Sequence, residues 1–81
     1  MIMRVYALRD VKVGFLSPTV SDSDAIAIRN LENVLRSPSS SLLDSHPEDF
    51  SLYCLGSFDT TSGVLSPLAV PELIVEVRSL L

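Results

Sequence analysis

The second half of the chain contains an alternating apolar run that ends in a glycine turn, and this pattern predicts a β-hairpin. The run spans residues 51–58, and its apolar members at even spacing are Leu52, Cys54 and Phe58. Such alternation predicts a strand with these side chains on one face. The turn spans residues 59–63, and its glycine can adopt the positive φ of a tight turn. We therefore predict a β-hairpin over residues 51–66, with Pro67 ending its second strand.

One amphipathic helix is predicted over residues 24–36. The acids and serines at 21–24 can cap its first turn, where the positive end of the helix dipole also favours acids. The side chains expected to form its buried stripe are Ala27, Ile28, Leu31, Val34 and Leu35. The helix should end before Pro38, because a residue preceding proline resists helical geometry. A serine-rich loop is expected over residues 37–41.

The beginning and the end of the chain complete the predicted fold. Residues 3–9 favour a strand, and residues 11–16 form a second short apolar stretch. Residues 46–49 resemble a single helical turn, with proline first and two acids after it. The tail over residues 71–81 is compatible with a helix or an extended segment, and the extended form is slightly favoured. We predict one α+β domain over residues 1–81: a small antiparallel sheet that includes the hairpin and packs on one helix.

Composition argues against an enzyme, a metal site and a membrane span. The single cysteine, Cys54, cannot form an internal disulfide, and its apolar surroundings predict a buried thiol. The single histidine, His46, has only the nearby acids Asp44, Glu48 and Asp49 as companions, which is a poor set of metal ligands. We find no catalytic motif, no glycine-rich phosphate loop and no apolar run of about 18 residues. We therefore expect a non-enzymatic protein without a cofactor.

Charge is unevenly distributed along the chain. The net charge of −4 argues against a protein that condenses DNA in bulk. Residues 1–36 contain five cations and four acids, whereas residues 37–81 contain one cation and six acids. Any surface that meets phosphate should therefore be formed by the first half.

Two sets of residues are candidate binding sites. Binding of single-stranded DNA requires cations beside stacking aromatic rings. Arg4 and Tyr6 are expected on one strand face, so the candidate nucleic-acid-binding residues are Arg4, Tyr6, Arg9, Lys12 and Tyr53. The alternative is that Tyr6 packs in a second core face and Arg4 is merely solvated. The candidate partner-binding residues are Glu48, Asp49 and Asp59, and the alternative is that these acids serve solubility. A homodimer is also expected, because so small and apolar a chain gains stability from a partner.

Two segments of the chain carry distinctive motifs. Residues 6–12 read YALRDVK, and an aromatic and a proline follow at Phe15 and Pro18. The most specific segment, residues 46–59, reads HPEDFSLYCLGSFD and is closed by a Thr-Ser-Gly turn. In this order the motifs resemble the small non-structural proteins of gokushovirus-type microviruses, which are single-stranded DNA phages, and the resemblance covers roughly residues 4–66.

This resemblance implies a phage protein that is made in the host bacterial cytoplasm and is absent from the mature virion shell. It implies a role in viral DNA replication or packaging, with single-stranded viral DNA as a candidate partner. The alternative is a dimeric adaptor that acts on phage replication or procapsid proteins without touching DNA.

Overall fold

One helix packed against a curled antiparallel sheet forms the fold, as a computed structural model of residues 1–37, 43 and 45–81 shows. This confirms the predicted α+β class. The elements are β1 (Ile2–Asp10), β2 (Gly14–Phe15), β3 (Thr19–Ser21), α1 (Asp24–Leu35), β4 (Phe50–Asp59) and β5 (Leu65–Glu76). Two short 3₁₀ turns span Pro47–Asp49 and Val77–Leu80. Within the described residues, no helix is long and apolar enough to cross a lipid bilayer.

The sheet is ordered β2-β1-β4-β5, and β3 also pairs with β1. All of these pairs are antiparallel. Strands β1 and β4 form its centre, and their pairing runs from Ile2 opposite Asp59 to Asp10 opposite Phe50. Strand β5 therefore forms one edge of the sheet, and the short strands β2 and β3 both lie along the other side of β1.

A β-bulge interrupts the centre of the sheet. Val5 pairs with Gly56, but the next residue, Tyr6, pairs with Cys54, so that Leu55 has no direct partner on β1. Residues directly opposite each other on neighbouring strands point to the same face. Phe58, which pairs with Met3, therefore does not share a face with Cys54. The prediction that Leu52, Cys54 and Phe58 lie together is wrong for Phe58, because the extra residue reverses the alternation.

The core lies between α1 and the inner face of the sheet. The helix contributes Ala27, Leu31 and Leu35. The facing sheet residues are Tyr6, Leu52 and Cys54, and Phe50 and Val77 complete the cluster. The buried thiol predicted for Cys54 is confirmed. Val34, predicted to be in the buried stripe, is instead 47% exposed because it lies at the edge of that stripe.

The helix agrees with its prediction to within one residue. The side chain of Ser23 caps the helix by accepting a hydrogen bond from the backbone N–H of Ile26 at 3.3 Å. The last helical residue is Leu35, and Arg36 is the C-cap. Of the loop predicted over residues 37–41, only residue 37 is among the described residues. Asp44 also lies outside them.

The predicted hairpin is present, but its second strand is longer than expected. Gly63 adopts a φ of 78° in the turn, and its N–H donates to the carbonyl of Asp59 at 2.8 Å. Pro67 does not end β5, which continues to Glu76. A proline is tolerated here because β5 is an edge strand, where a missing N–H need not cost a ladder hydrogen bond. The extended conformation favoured for the tail is confirmed as far as Glu76.

Strand β5 leaves regular pairing for a few residues in its middle. Gly56 pairs with Pro67, but Cys54 pairs with Glu72, so residues 68–71 bulge outward opposite Leu55. The strand crosses very close to Gly56, where an added Cβ would lie only 2.3 Å from the carbonyl oxygen of Ser66. Glycine at position 56 is therefore required by the close approach of the two backbones.

Candidate nucleic-acid interface

Arg4 and Tyr6 share one strand face, as predicted, but that face is turned towards the helix. The side chain of Tyr6 is only 1% exposed, and its hydroxyl donates a hydrogen bond to the Asp24 carboxylate. The same hydroxyl accepts a hydrogen bond from Nε of Arg4 at 3.2 Å. The prediction that Tyr6 offers its ring for stacking is therefore wrong, and the core-packing alternative describes its position.

Arg4 is held between acids from two different elements. Its Nε lies 3.0 Å from Asp24 on α1, and its Nη2 lies 3.3 Å from Glu72 on β5. The hydrogen bond to Tyr6 raises the pKa of Arg4 above its ordinary value, and burial raises the pKa of Tyr6 to about 12. Arg4 is thus neither merely solvated nor free for phosphate, because its charge is already matched by two carboxylates.

Tyr53 lies on the opposite, outer face of the sheet, together with Phe15. The two ring centroids are 5.5 Å apart with an interplanar angle of 81°, which is an edge-to-face contact. Phe15 remains 44% exposed, and Tyr53 is half-buried. Ala7, directly opposite Tyr53 on β1, is small and buried beneath this pair. The outer face therefore carries two adjacent rings that a flat ligand can reach.

The turn between β1 and β2 places Phe15 on this face. The Asp10 carboxylate accepts a hydrogen bond from the N–H of Lys12 at 2.9 Å, and Gly14 adopts a φ of 101°. Both features belong to a tight reversal, since glycine takes positive φ without steric cost. The resulting register sets Phe15 directly opposite Arg9.

Arg9 and Lys12 supply positive charge beside the two rings. Arg9 is exposed and lies on the same face as its cross-strand partner Phe15. Lys12 is exposed in the turn that follows β1. Within the described part of the chain, neither cation has an ion-pair partner. We call Arg9, Lys12, Phe15 and Tyr53 the outer aromatic face.

The structure therefore divides the predicted nucleic-acid-binding residues into two groups. Arg9, Lys12 and Tyr53 come together on or next to one face, whereas Arg4 and Tyr6 lie on the other. Sequence reasoning missed Phe15, although its position was readable. The segment Asp10–Gly14 has the composition of a short turn, and pairing across it sets Phe15 against Arg9.

The predicted partner-binding acids do not form one surface. Glu48 and Asp49 lie in the 3₁₀ turn before β4, and Asp59 is the last residue of that strand. At a rise of about 3.3 Å per residue, the two ends of β4 are about 30 Å apart. Asp59 is engaged locally, because its carboxylate accepts from the N–H of Thr61 at 2.9 Å and lies 3.9 Å from the N-terminal amine.

His46 precedes the same 3₁₀ turn as its N-cap residue, and its exposed side chain makes no capping hydrogen bond. The predicted helical turn at residues 46–49 is confirmed as the 3₁₀ turn Pro47–Asp49. Over residues 1–37, 43 and 45–81, no three His, Cys, Asp or Glu side chains are grouped so that they could hold a metal ion.

These features define a small α+β protein with an open aromatic and cationic sheet face. The chain belongs to the Phage ORF5 protein family, whose model matches residues 3–80. No curated protein and no solved structure gives a significant match to the chain.

Proposed function

We propose that this phage protein binds single-stranded DNA through its outer aromatic face. In this proposal it is a non-enzymatic accessory protein of a gokushovirus-type microvirus. It acts on viral DNA during replication or packaging in the host bacterial cytoplasm. The motifs of residues 6–12 and 46–59 support the phage group, and the geometry of the outer aromatic face supports the ligand.

The observation that carries the proposal is the placement of Arg9 directly opposite Phe15, beside the Phe15–Tyr53 ring pair. A base can stack on an exposed ring while the neighbouring guanidinium contacts the phosphate that links it to the next base. Stacking of this kind is worth about 1–3 kcal/mol per base and tolerates any sequence. The expected ligand is therefore single-stranded and of mixed sequence, since a duplex hides the faces of its bases.

Charge sets the expected strength and salt dependence of binding. Two cations beside the rings give a slope of log affinity against log salt of about −1.4, because each phosphate contact on a single strand contributes about −0.7. The net charge of −4 opposes binding at long range. We expect weak to moderate affinity at low salt, and we expect stacking to contribute more of the binding free energy than the phosphate contacts do.

The test is a fluorescence titration of a labelled mixed-sequence oligonucleotide at low and at moderate salt. The key variant is Phe15→Ala, which should weaken binding by at least about fivefold, since about 1 kcal/mol of stacking is removed. Its matched control is Leu16→Ala, at the adjacent position, where the side chain is 42% exposed. This control should bind like the wild type.

A second pair of variants tests the electrostatic part. Arg9→Ala should weaken binding and reduce the magnitude of the salt slope by about 0.7. Arg29→Ala removes an exposed cation from α1 and should leave the slope unchanged. The proposal fails if the wild type does not bind at low salt, or if Leu16→Ala and Phe15→Ala have equal effects.

The acidic balance of residues 37–81 supports a second candidate function. In this alternative the chain is an adaptor that contacts a basic surface on a phage replication or procapsid protein. Glu48, which is exposed beside β4, is its best-placed contact residue. Two results together would favour this function. The wild-type protein would fail to bind the oligonucleotide but would co-elute with such a partner, and the Glu48→Lys variant would no longer co-elute with it.

A further inference from the structure

Exposed apolar residues follow one another along the edge strand β5 and at the residue before it. Within residues 64–73, five large aliphatic side chains are between 42% and 74% exposed, and they are Val64, Leu65, Leu68, Val70 and Leu73. We call these five residues the β5 apolar strip. The strip does not include any residue of the outer aromatic face, so it requires an explanation of its own.

The area of the strip matches what a homodimer buries. From their fractional exposures, the five residues together present roughly 500 Å² of surface, most of it apolar, which is within the range of the largest apolar patch on a typical monomer. A standard interface buries about 800 Å² on each partner. About 65% of a homodimer interface is apolar, which corresponds to roughly 520 Å². The strip can therefore supply a large part of the apolar surface that a standard interface requires of each partner.

The surface around the strip has both a projection and a hollow. The projection is the outward bulge of residues 68–71, in which Val70 is the most exposed of the five side chains. Beside it lies an apolar hollow of about 240 Å³, whose lining includes Val5, Leu55 and Leu65. An interface between two identical copies around a two-fold axis must be self-complementary. A projection next to a hollow of the same apolar character fits this requirement.

Charge also permits two copies to meet at this strip. Two whole chains of net charge −4 repel each other. Residues 64–75 contain one charged residue, Glu72, and its carboxylate is already paired with Arg4 at 3.3 Å. The strip itself therefore adds no unpaired charge to a contact between two copies.

We propose that the β5 apolar strip is the contact surface between two copies of this chain. The contact is made by side-chain packing and not by a continuous intermolecular sheet. Pro67 and Pro71 have no backbone N–H to donate, and the bulge at residues 68–71 breaks the regular edge. This inference does not rest on DNA binding, because none of its residues belongs to the outer aromatic face.

The experiment is sedimentation-velocity ultracentrifugation of the full chain from about 1 to about 100 µM, since dimer populations follow protein concentration. The wild type should form a dimer. Val70→Asp should weaken the dimer at least about 100-fold, because each subunit would place an unpaired charge in the apolar contact. The matched control is Val13→Asp, at a residue that is 73% exposed, compared with 74% for Val70. The control should remain dimeric.

Leu65→Asp repeats the test outside the bulge, at a residue that is 67% exposed and that the monomer does not need to bury. Circular dichroism of each variant confirms that the monomer is folded. A monomeric wild type would overturn the proposal, and a different protein would then be the candidate partner for the strip. Dimers that survive both strip substitutions, or that are lost equally in Val13→Asp, would also overturn it.

Discussion

The hydroxyl of Tyr6 donates a hydrogen bond to the carboxylate of Asp24, and this contact joins the middle of β1 to the first turn of α1. Arg4 binds both groups and extends the network to β5 through Glu72. The network of Tyr6, Arg4 and two carboxylates thus connects the strand at the centre of the sheet with the helix and the edge strand. The stability of the fold should therefore depend on whether Tyr6 is protonated.

We expect the protein to lose stability between about pH 10 and pH 12. Burial, followed by the hydrogen bond to Asp24, raises the pKa of Tyr6 from 10.0 to about 12 in the folded chain. A raised folded pKa means that the neutral form is favoured by folding. Its contribution is complete below the unfolded value and is lost as the pH rises through the folded value. Urea unfolding at several pH values measures this loss.

Tyr6→Phe is the control for that titration. It retains the buried ring but cannot ionise, so its free energy of unfolding should fall less between pH 10 and pH 12. At neutral pH it should be less stable than the wild type by about 1 kcal/mol, the usual net value of a hydrogen bond. Parallel losses of stability in the two proteins across this pH range would show that Tyr6 is not the titrating group.

Gly56→Ala should be strongly destabilising. The new methyl group would lie 2.3 Å from the carbonyl oxygen of Ser66 and 2.8 Å from Cα of Pro67, both of which are backbone atoms. Relief requires β5 to move away from β4, at a cost of about 1–3 kcal/mol, as for other overpacked sites. Urea unfolding should report this cost as a lower midpoint. Ser57→Ala, at the adjacent half-buried position, is the control and should change stability by less than about 1 kcal/mol.

Removal of the helix N-cap should have a smaller effect. Ser23→Ala deletes the acceptor for the N–H of Ile26, which should cost about 1 kcal/mol. Ser23→Asp retains an acceptor and places a negative charge at the positive end of the helix, so it should restore most of the stability. Equal thermal midpoints for the alanine variant and the wild type would contradict the assigned role of Ser23.

Local patterns in the sequence predict the helix and the hairpin well, because short-range physics determines both. The helix begins after its N-cap Ser23 and ends at Leu35, close to the end that the proline at position 38 of the sequence predicts. The hairpin follows from alternation and from a glycine that can take positive φ. The length of β5 was not predictable in this way. Whether Pro67 ends a strand depends on its place at the sheet edge, which is a property of the whole fold.

The candidate site was predicted only in part, and the bulge at Val5–Tyr6 explains why. A period of two correctly places Arg4 and Tyr6 on one face, but it does not tell which face packs on the helix. Tyr53 was grouped with Tyr6 in one candidate site, whereas its neighbour Cys54 is the residue that pairs with Tyr6. Alternation therefore predicts which residues of one strand share a face. Which faces of β1 and β4 coincide depends on the pairing register between the two strands, and the sequence does not show that register.

The contact between Phe15 and Tyr53 should stabilise the fold by a measurable coupling energy. Edge-to-face pairs contribute about 0.5–1.5 kcal/mol beyond the burial of their area, and the exposure of Phe15 places this pair near the lower value. The measurement is a double-mutant cycle of urea unfolding with Phe15→Ala, Tyr53→Ala and the double variant. Additive losses of stability would mean that the two rings do not act as a unit.

The same cycle connects stability with DNA binding. If the two rings form one preformed stacking surface, removal of Tyr53 should also weaken oligonucleotide binding, because Phe15 loses the neighbour that orients it. The loss on Tyr53→Ala should then be smaller in a background that already carries Phe15→Ala. If the losses of binding free energy in the two single variants are fully additive, the two rings contact separate bases. If the Tyr53→Ala variant binds like the wild type, Phe15 is the only stacking ring of the outer aromatic face.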